Sequence, residues 1–276
     1  MDGEGAGTRR PIYGIPPGEA SRWLEVVPVR HARRSYTGEP VASAELDALE
    51  DRAASWRPWP GARVVVIREA PAALFVGIVG AYGGISHAPS ALAFVGGDGT
   101  RGEAVGYTGE GLVLEATARG LDSCWVAGLF SAHVTAGLAG LAPGERVHAV
   151  AALGHARGTA TVKERLLFGA GRPKHRRSLD EIAPGHERWP AWARAAAEAT
   201  RVAPSAMNRQ PWRFSLADSA LTLRFAGADT PRTSKRLDCG IAMLHAELGA
   251  LGQGVAGTWE LRDRPEVAVF RPEQGR

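Results

Sequence analysis

No apolar run in this chain approaches the roughly eighteen residues that a membrane-spanning helix needs, and residues 1–7, Met1-Asp2-Gly3-Glu4-Gly5-Ala6-Gly7, lack the apolar core of a signal peptide. A membrane protein and a secreted precursor are therefore not expected. There are only two cysteines in 276 residues. Cys124 and Cys239 lie far apart in apolar settings, so they read as buried small hydrophobes in a reducing cytoplasm rather than as a disulfide. Neither has the spacing of a zinc site, and no metal is expected. A long basic tract is also missing. Net charge is +4 and pI about 9.4, but the basic residues are dispersed apart from Arg30-His31-Ala32-Arg33-Arg34 and Lys174-His175-Arg176-Arg177. Neither cluster is interleaved with aromatics, which argues against a nucleic-acid groove. Each reads either as solvated surface or as an anion site. No Ser/His/Asp set or paired carboxylate stands out, and Gly96-Gly97-Asp98-Gly99 lacks the Lys-Ser/Thr of a phosphate loop.

What the chain does have is 45% hydrophobic residues, enough for a sizeable core. Helical spacing is expected over 41–55, with Leu46, Leu49 and Ala53 on one face, over 71–80, over 106–119 with Gly120 closing it, from about 187 to 200, and over 237–251. Short strands are expected at 63–67, 91–95, 123–127 and 147–153. A hairpin at 212–216 and 221–225 turns at Asp218-Ser219, and two last strands lie at 257–261 and 266–270. Helices alternating with short hydrophobic strands indicate an α+β fold in three layers, α/β/α. His87, His155 and His245 read as structural, His245 as a satisfied core histidine. Asp238 reads as the N-cap of the last helix.

The most specific stretch is Ala203-Pro204-Ser205-Ala206-Met207-Asn208-Arg209-Gln210-Pro211-Trp212-Arg213-Phe214. Pro204, Ser205 and Asn208 make a helix-stopping turn with free polar groups, and Pro211 directs Trp212 and Phe214 into a strand. It reads either as a helix end followed by an edge strand or as a turn holding a flat, polar-edged ligand. An internal echo adds organisation. Residues 109–122 align without gaps to 239–252 at an offset of 130, and Arg33-Arg34-Ser35 recurs as Arg176-Arg177-Ser178. Two divergent half-copies are expected: an arm at 1–20, a first half at 21–184 and a second at 185–276.

These motifs in this order resemble the FMN-dependent nitroreductase and flavin reductase family, in a divergent single-chain branch. The resemblance runs from about residue 29 to 261. Arg33-Arg34-Ser35-Tyr36 is similar to the family's opening Arg-Arg-Ser, which implies that Arg33, Arg34 and Ser35 hold the FMN phosphate and ribityl chain. Gly120-Leu121-Asp122-Ser123-Cys124-Trp125-Val126-Ala127-Gly128 is similar to the family's flavin-edge segment, so backbone N–H groups of Ala127 and Gly128 are expected beside the ring. Arg172-Pro173-Lys174-His175-Arg176 is similar to the terminal Lys-x-Arg, adding phosphate contacts from Lys174 and Arg176. The 203–214 stretch resembles the flavin turn, which in the family crosses from a partner subunit, and implies roles for Pro204, Ser205 and Asn208.

One departure stands out. Where family members carry that turn after the first helix, this chain reads Ala53-Ala54-Ser55-Trp56-Arg57-Pro58-Trp59, and the intact turn lies in the second half instead. The resemblance therefore implies an intrachain pseudo-dimer with one FMN per chain, monomeric or dimeric, with Trp23, Trp56, Trp59, Trp189 and Trp192 as candidates for an interface. It also implies ping-pong hydride transfer from NADH or NADPH, through flavin N5, to a small-molecule acceptor such as a nitroaromatic or quinone. No side-chain acid or base is required. A flavin store without turnover and a flavin dehydrogenase or oxidase on a biosynthetic intermediate are the alternatives.

Overall fold

The computed structural model describes residues 10–76, 84–158, 175–229 and 234–273. The first half begins with α1 (Pro17–Val26) and α2 (Ser43–Ser55), followed by β1 (Ala62–Ile67), β2 (Ser90–Gly96), α3 (Gly102–Ala118), β3 (Asp122–Val126), α4 (Ala132–Ala139) and β4 (Arg146–Gly154). The second half contains α5 (Ala191–Arg201), β5 (Trp212–Ala217), β6 (Ala220–Phe225), α6 (Lys235–Leu251), β7 (Gly257–Leu261) and β8 (Glu266–Pro272). The strands form two antiparallel sheets of the same order, β1-β2-β4-β3 and β5-β6-β8-β7. In each, the long helix lies between the second and third strands of the chain.

Those two long helices are the centre of the molecule. Every residue at 103–116 of α3 and at 237–250 of α6 is buried, as expected of helices that are apolar nearly all round. They cross through glycine. A Cβ on Gly106 would lie 2.1 Å from the Leu237 carbonyl oxygen, and one on Gly240 would lie 2.0 Å from that of Glu103. The contact is reciprocal: Gly106 and Gly240, and Glu103 and Leu237, are each 134 positions apart. Such reciprocity is the pattern of a two-fold interface. Backbone crossing thus relates the helices at 134, not at the 130 expected from letter matching, because close approach constrains glycines and leaves Leu and Ala free to drift.

The two sheets are covered differently. In the first, Leu92, Phe94, Ala149, Ala151 and Leu153 pack in the core with α3, and the opposite face buries Ile67, Ala91, Ala93, Val95 and Val150 with Leu74 and Ala139. This is the expected three-layer arrangement. In the second sheet Phe214, Leu221, Leu223, Trp259, Ala268 and Phe270 face the core, while Ser215, Ala217, Arg224 and Arg271 on the other face are exposed. That sheet is solvated on one side, as antiparallel sheets often are.

Most expected elements are present. Asp218 and Ser219 take positive φ values of 49° and 57°, the primed turn that suits a two-residue hairpin. Gly120, at φ 77°, ends α3, with the Leu121 N–H donating to the Ala116 oxygen in a Schellman-type closure. Two expectations are corrected. The N-terminal arm stops before residue 20: Pro17 opens α1, where a missing N–H costs nothing, and Trp23 is buried edge-on against Trp56, 5.0 Å between centroids. Of the helix expected at 71–80, the described part, 71–76, holds one 3₁₀ turn, Ala72–Leu74, after which Phe75 pairs with Phe130. Residues 77–83 lie outside the described residues. Trp56 and Trp59 are also buried within the chain, whereas Trp189 and Trp192 are half-buried.

Candidate functional site

Two walls form a cleft of about 380 Å³, within the range of small-molecule sites. One wall continues from the end of β3: Ala127, Gly128 and Phe130, followed by Ala132, with Arg146, Val147 and His148 from the start of β4 beside them. Gly128 is at φ 84°, a conformation that glycine adopts without strain. The other wall is Ala206 from the turn after α5, together with Ser234, Leu237 and Asp238 at the start of α6.

The turn is strained and tightly held. Met207, Asn208 and Gln210 have φ of 54°, 55° and 47°, each costing on the order of 1–3 kcal/mol for a non-glycine residue. Four groups offset that cost. The Ser205 hydroxyl accepts from the Gln210 N–H at 2.9 Å. Asp238 Oδ1 accepts from the Ala206 N–H at 2.9 Å, and its Oδ2 pairs with Arg209 at 2.8 Å. The Gln210 side chain donates to the His175 oxygen and accepts from the Arg177 N–H, both at 2.8 Å.

Asp238 is therefore not the helix cap that the sequence suggested. Ser234 caps α6, accepting from the Arg236 N–H at 3.1 Å. Asp238, 2% exposed, ties the turn to the helix. Burial pushes its carboxyl up to about 6, against the opposing pull of the Ala206 N–H and Arg209. Across the cleft, burial first and then Arg146 hold His148 down to about 4, so it is neutral near pH 7.

The sequence-predicted site residues fall into separate groups. Ala127 and Gly128 line the cleft. Pro204, Ser205 and Asn208 belong to the turn that forms its far wall. Ser205 holds the turn, and the Asn208 amide reaches the His175 oxygen at 3.3 Å. Arg33, Arg34 and Ser35 sit at the other end of β3. The Arg33 N–H donates to the Ser123 oxygen, its guanidinium lies 3.6 Å from Asp122, the Arg34 oxygen accepts from the Ser86 N–H, and Ser35 bridges Ser86. Arg176 donates to the Ala203 oxygen at 2.7 Å, beside the turn. Lys174 lies outside the described residues.

One basic residue that sequence reasoning passed over is Arg30, the first of its cluster. It is 6% exposed. Its Nε lies 3.9 Å from Glu110 Oε1 but has no hydrogen-bond partner among the described residues. Arg176 is close enough to feel it: burial first, then Arg30 and Arg201, push Arg176 down to about 10. Neighbouring guanidiniums, that of Arg30 buried and that of Arg176 half-buried, favour an anion. Glu110 also accepts from the Trp125 indole at 2.7 Å and bonds His245 Nε2 at 2.9 Å, while His245 Nδ1 meets the Ala199 oxygen at 3.2 Å. His245 is the satisfied core histidine expected. At the surface, Asp180, His186 and Glu187 bring possible metal ligands within 4.8 Å of one another; pairing of His186 with the two solvated carboxylates accounts for them.

The equivalent address in the second half is closed. After β7 the chain enters Arg262 and Asp263, which face the start of α3. Arg101 reaches Asp263 at 2.9 Å and Glu103 at 2.9 Å. Arg236 pairs with Glu103 and donates to the Arg262 oxygen at 3.2 Å and the Glu266 oxygen at 3.1 Å. After α2, where the first-half turn would lie, the Trp56 indole donates to the Thr108 oxygen at 3.0 Å and its ring lies over Gly111.

Compared with known proteins, the chain matches the family model described as "Putative TM nitroreductase" over residues 23–250. Among solved structures it is similar to a "putative nitroreductase" from Thermotoga maritima, with 20% identity and a TM-score of 0.55, covering 90% of this chain and 92% of that one. A nitroreductase with bound FMN from Desulfitobacterium hafniense matches at 18% identity and a TM-score of 0.40, over 50% of this chain and 90% of that one. Another with bound FMN, from Bacteroides fragilis, matches at 15% and 0.39, over 51% and 91%. Among curated proteins, none matches the chain.

Proposed function

The chain belongs to the nitroreductase family, and from that premise we propose that it is an FMN-dependent oxidoreductase, reduced by NADH or NADPH and reoxidised by a nitroaromatic, quinone or similar small acceptor. The observation that carries this reading is the cleft itself. Both segments that the family resemblance assigns to flavin contribute to its walls, Ala127 and Gly128 to one and Ala206 of the 204–208 turn to the other, although they are about 80 residues apart in sequence. FMN, when bound, would supply the redox chemistry.

The residues fit such a group. Backbone N–H groups at Ala127 and Gly128 would meet a ring edge, and Gly128 leaves room for close approach. The turn, locked by Asp238 and Gln210, would hold the opposite side. Arg30 and Arg176, two crowded guanidiniums, suit a phosphate, and Arg33, Arg34, Ser35 and Lys174 are the further candidates at that end. His148, neutral, and Asp238, already doubly bonded, are not needed as proton donors. The two sheets of one order, the reciprocal crossing and the ion pairs that occupy the counterpart of the cleft support reading the chain as a pseudo-dimer holding one FMN, active without a partner subunit. Two buried free cysteines suit the cytoplasm. No helix among the described residues is long and apolar enough to cross a membrane.

Titrating the purified chain with FMN and then with NADPH or NADH under argon tests this. A visible flavin band that bleaches with nicotinamide and returns with menadione is the expected result. A band that persists would favour a flavin store, and absence of binding would sink the proposal.

A further inference from the structure

We infer that Arg146 makes this cleft selective for acceptors carrying an oxyanion, such as an aromatic carboxylate. The inference rests on the cleft being the substrate site proposed above. A bulge in β4 places Arg146. Along β2 and β4, Phe94 faces Ala149, but Val95 faces Val147 and Gly96 faces Arg146, so His148 is an extra residue in β4. Bulges re-aim side chains and are common beside active sites. Here the imidazole lies over Gly96, where a Cβ would come within 2.6 Å of Nε2, and both His148 and Arg146 line the cleft next to Gly128 and Phe130.

Arg146 is exposed, and its Nε donates to His148 Nε2 at 3.3 Å. That bond needs a neutral imidazole, and burial together with Arg146 keeps it so. The fork is thereby oriented, while its terminal nitrogens remain available: no carboxylate among the described residues pairs with Arg146. The nearest acidic neighbour in sequence, Glu145, is engaged by Arg63 at 2.6 Å. The carboxylate that lines the cleft, Asp238, is engaged by Arg209. A planar guanidinium in a partly dry cleft, with its own acids already taken, favours bidentate capture of a carboxylate or phosphate.

Position decides which anion. Arg33 bonds Ser123, which pairs with Leu153, whereas the last residue of β3, Val126, pairs with Val150. Arg146 is seven residues from Leu153 along β4, roughly 23 Å, so it belongs to the ring-edge end rather than to the phosphate end. The closed counterpart reinforces the point. There the corresponding bulge leaves Val267 as the extra residue, so Glu266 takes the place of Val147 and Pro265 that of Arg146, and the cation is particular to the open cleft.

Binding of benzoate and of benzyl alcohol to the purified chain, by calorimetry or saturation-transfer NMR, tests this without turnover. The expected result is benzoate bound about tenfold more tightly, the scale of one charge-assisted hydrogen bond. Arg146→Gln should erase the difference and Arg146→Lys should keep part of it, neither lowering flavin content. Equal affinities in the wild type, no binding of either probe, or a preference that survives Arg146→Gln would overturn the inference. So would an Arg146→Gln effect seen with adenosine 2′,5′-bisphosphate and not with benzoate, since the oxyanion would then be the reductant's. Flavin content of the same preparations reports on the proposed function separately: an anion preference in a chain that takes up no FMN leaves Arg146 standing and removes the flavin.

Discussion

After β3 the chain enters Ala127 and Gly128 and faces the first turn of α6; after β7 it enters Arg262 and Asp263 and faces the first turn of α3. The two places occupy equivalent positions in sheets of one order, about a reciprocal helix crossing. The first is a cleft of about 380 Å³. The second is filled by Arg101, Arg236, Glu103 and Asp263. Backbone architecture therefore does not make a site here. Small residues leave space in one, and long charged side chains satisfy one another in the other, which also removes the groups that could have met a ligand. The turns differ in the same way: Trp56 fills the position after α2, whereas the turn after α5 is held open by Asp238.

This contrast can be broken at several points. The largest effect is expected from Gly106→Val or Gly240→Val, which would force a side chain into backbone at the crossing shared by both halves. Overpacking of this kind should cost about 3 kcal/mol or more, read as a lower denaturation midpoint. Glu103→Ala should cost about 2–3 kcal/mol, below the value for a fully buried pair because Arg101 and Arg236 are partly solvated, yet leave FMN retention unchanged. Loss of flavin in that variant would mean that the closed side is not closed to function.

Asp238→Ala should do the opposite. It removes the tie to Ala206 and Arg209, and FMN affinity should fall about tenfold or more, a loss of about 1.4 kcal/mol upward. Asn208→Ala and Arg34→Ala are expected to weaken retention on a similar scale, and unchanged affinity in all three would show that the site is misplaced. Flavin released by denaturation should be near one per chain; a value near two would refute the asymmetry.

The smallest effect concerns pH. Glu247 on α6 accepts from the Tyr107 hydroxyl of α3 at 2.8 Å, and burial pushes its carboxyl up to about 7 from 4.5. Its folded value is raised, so its contribution to stability is present below pH 4.5 and is lost as pH rises through about 7. Asp238 acts in the same direction up to about 6. Glu247→Gln should flatten the fall in melting temperature between pH 5 and pH 8, and an unchanged slope would rule out this source.

Strands and the hairpin were legible because local signals agreed with burial: Gly257–Leu261 alternates as written, and Asp218-Ser219 can adopt positive φ. The segments 127–128 and 203–214 were legible by resemblance, and both reach the cleft. Three things were not. Asp238 sits in the first turn of α6, where a cap is the simplest local role, and its real partners are 32 and 29 residues away in sequence. Arg30 and Arg33 look alike within one basic cluster, and only packing buries the first beside Arg176. Arg146 and His148 share the cleft through a bulge, and a one-residue register shift carries no local signature.

By itself the sequence placed most of the helices and strands, carried a letter echo between 109–122 and 239–252, and held the short stretches that resemble a flavin site. These follow from hydrophobic period, turn chemistry and motif order, all of which act over a few residues. Only the tertiary structure decided the register of the echo, which of two equivalent positions stays open, and which charges remain unpaired within it. Those depend on backbone approach and ion pairing between residues more than a hundred positions apart, such as Gly106 with Leu237 and Arg236 with Glu103, where the energy lies in packing and desolvation rather than in local preference.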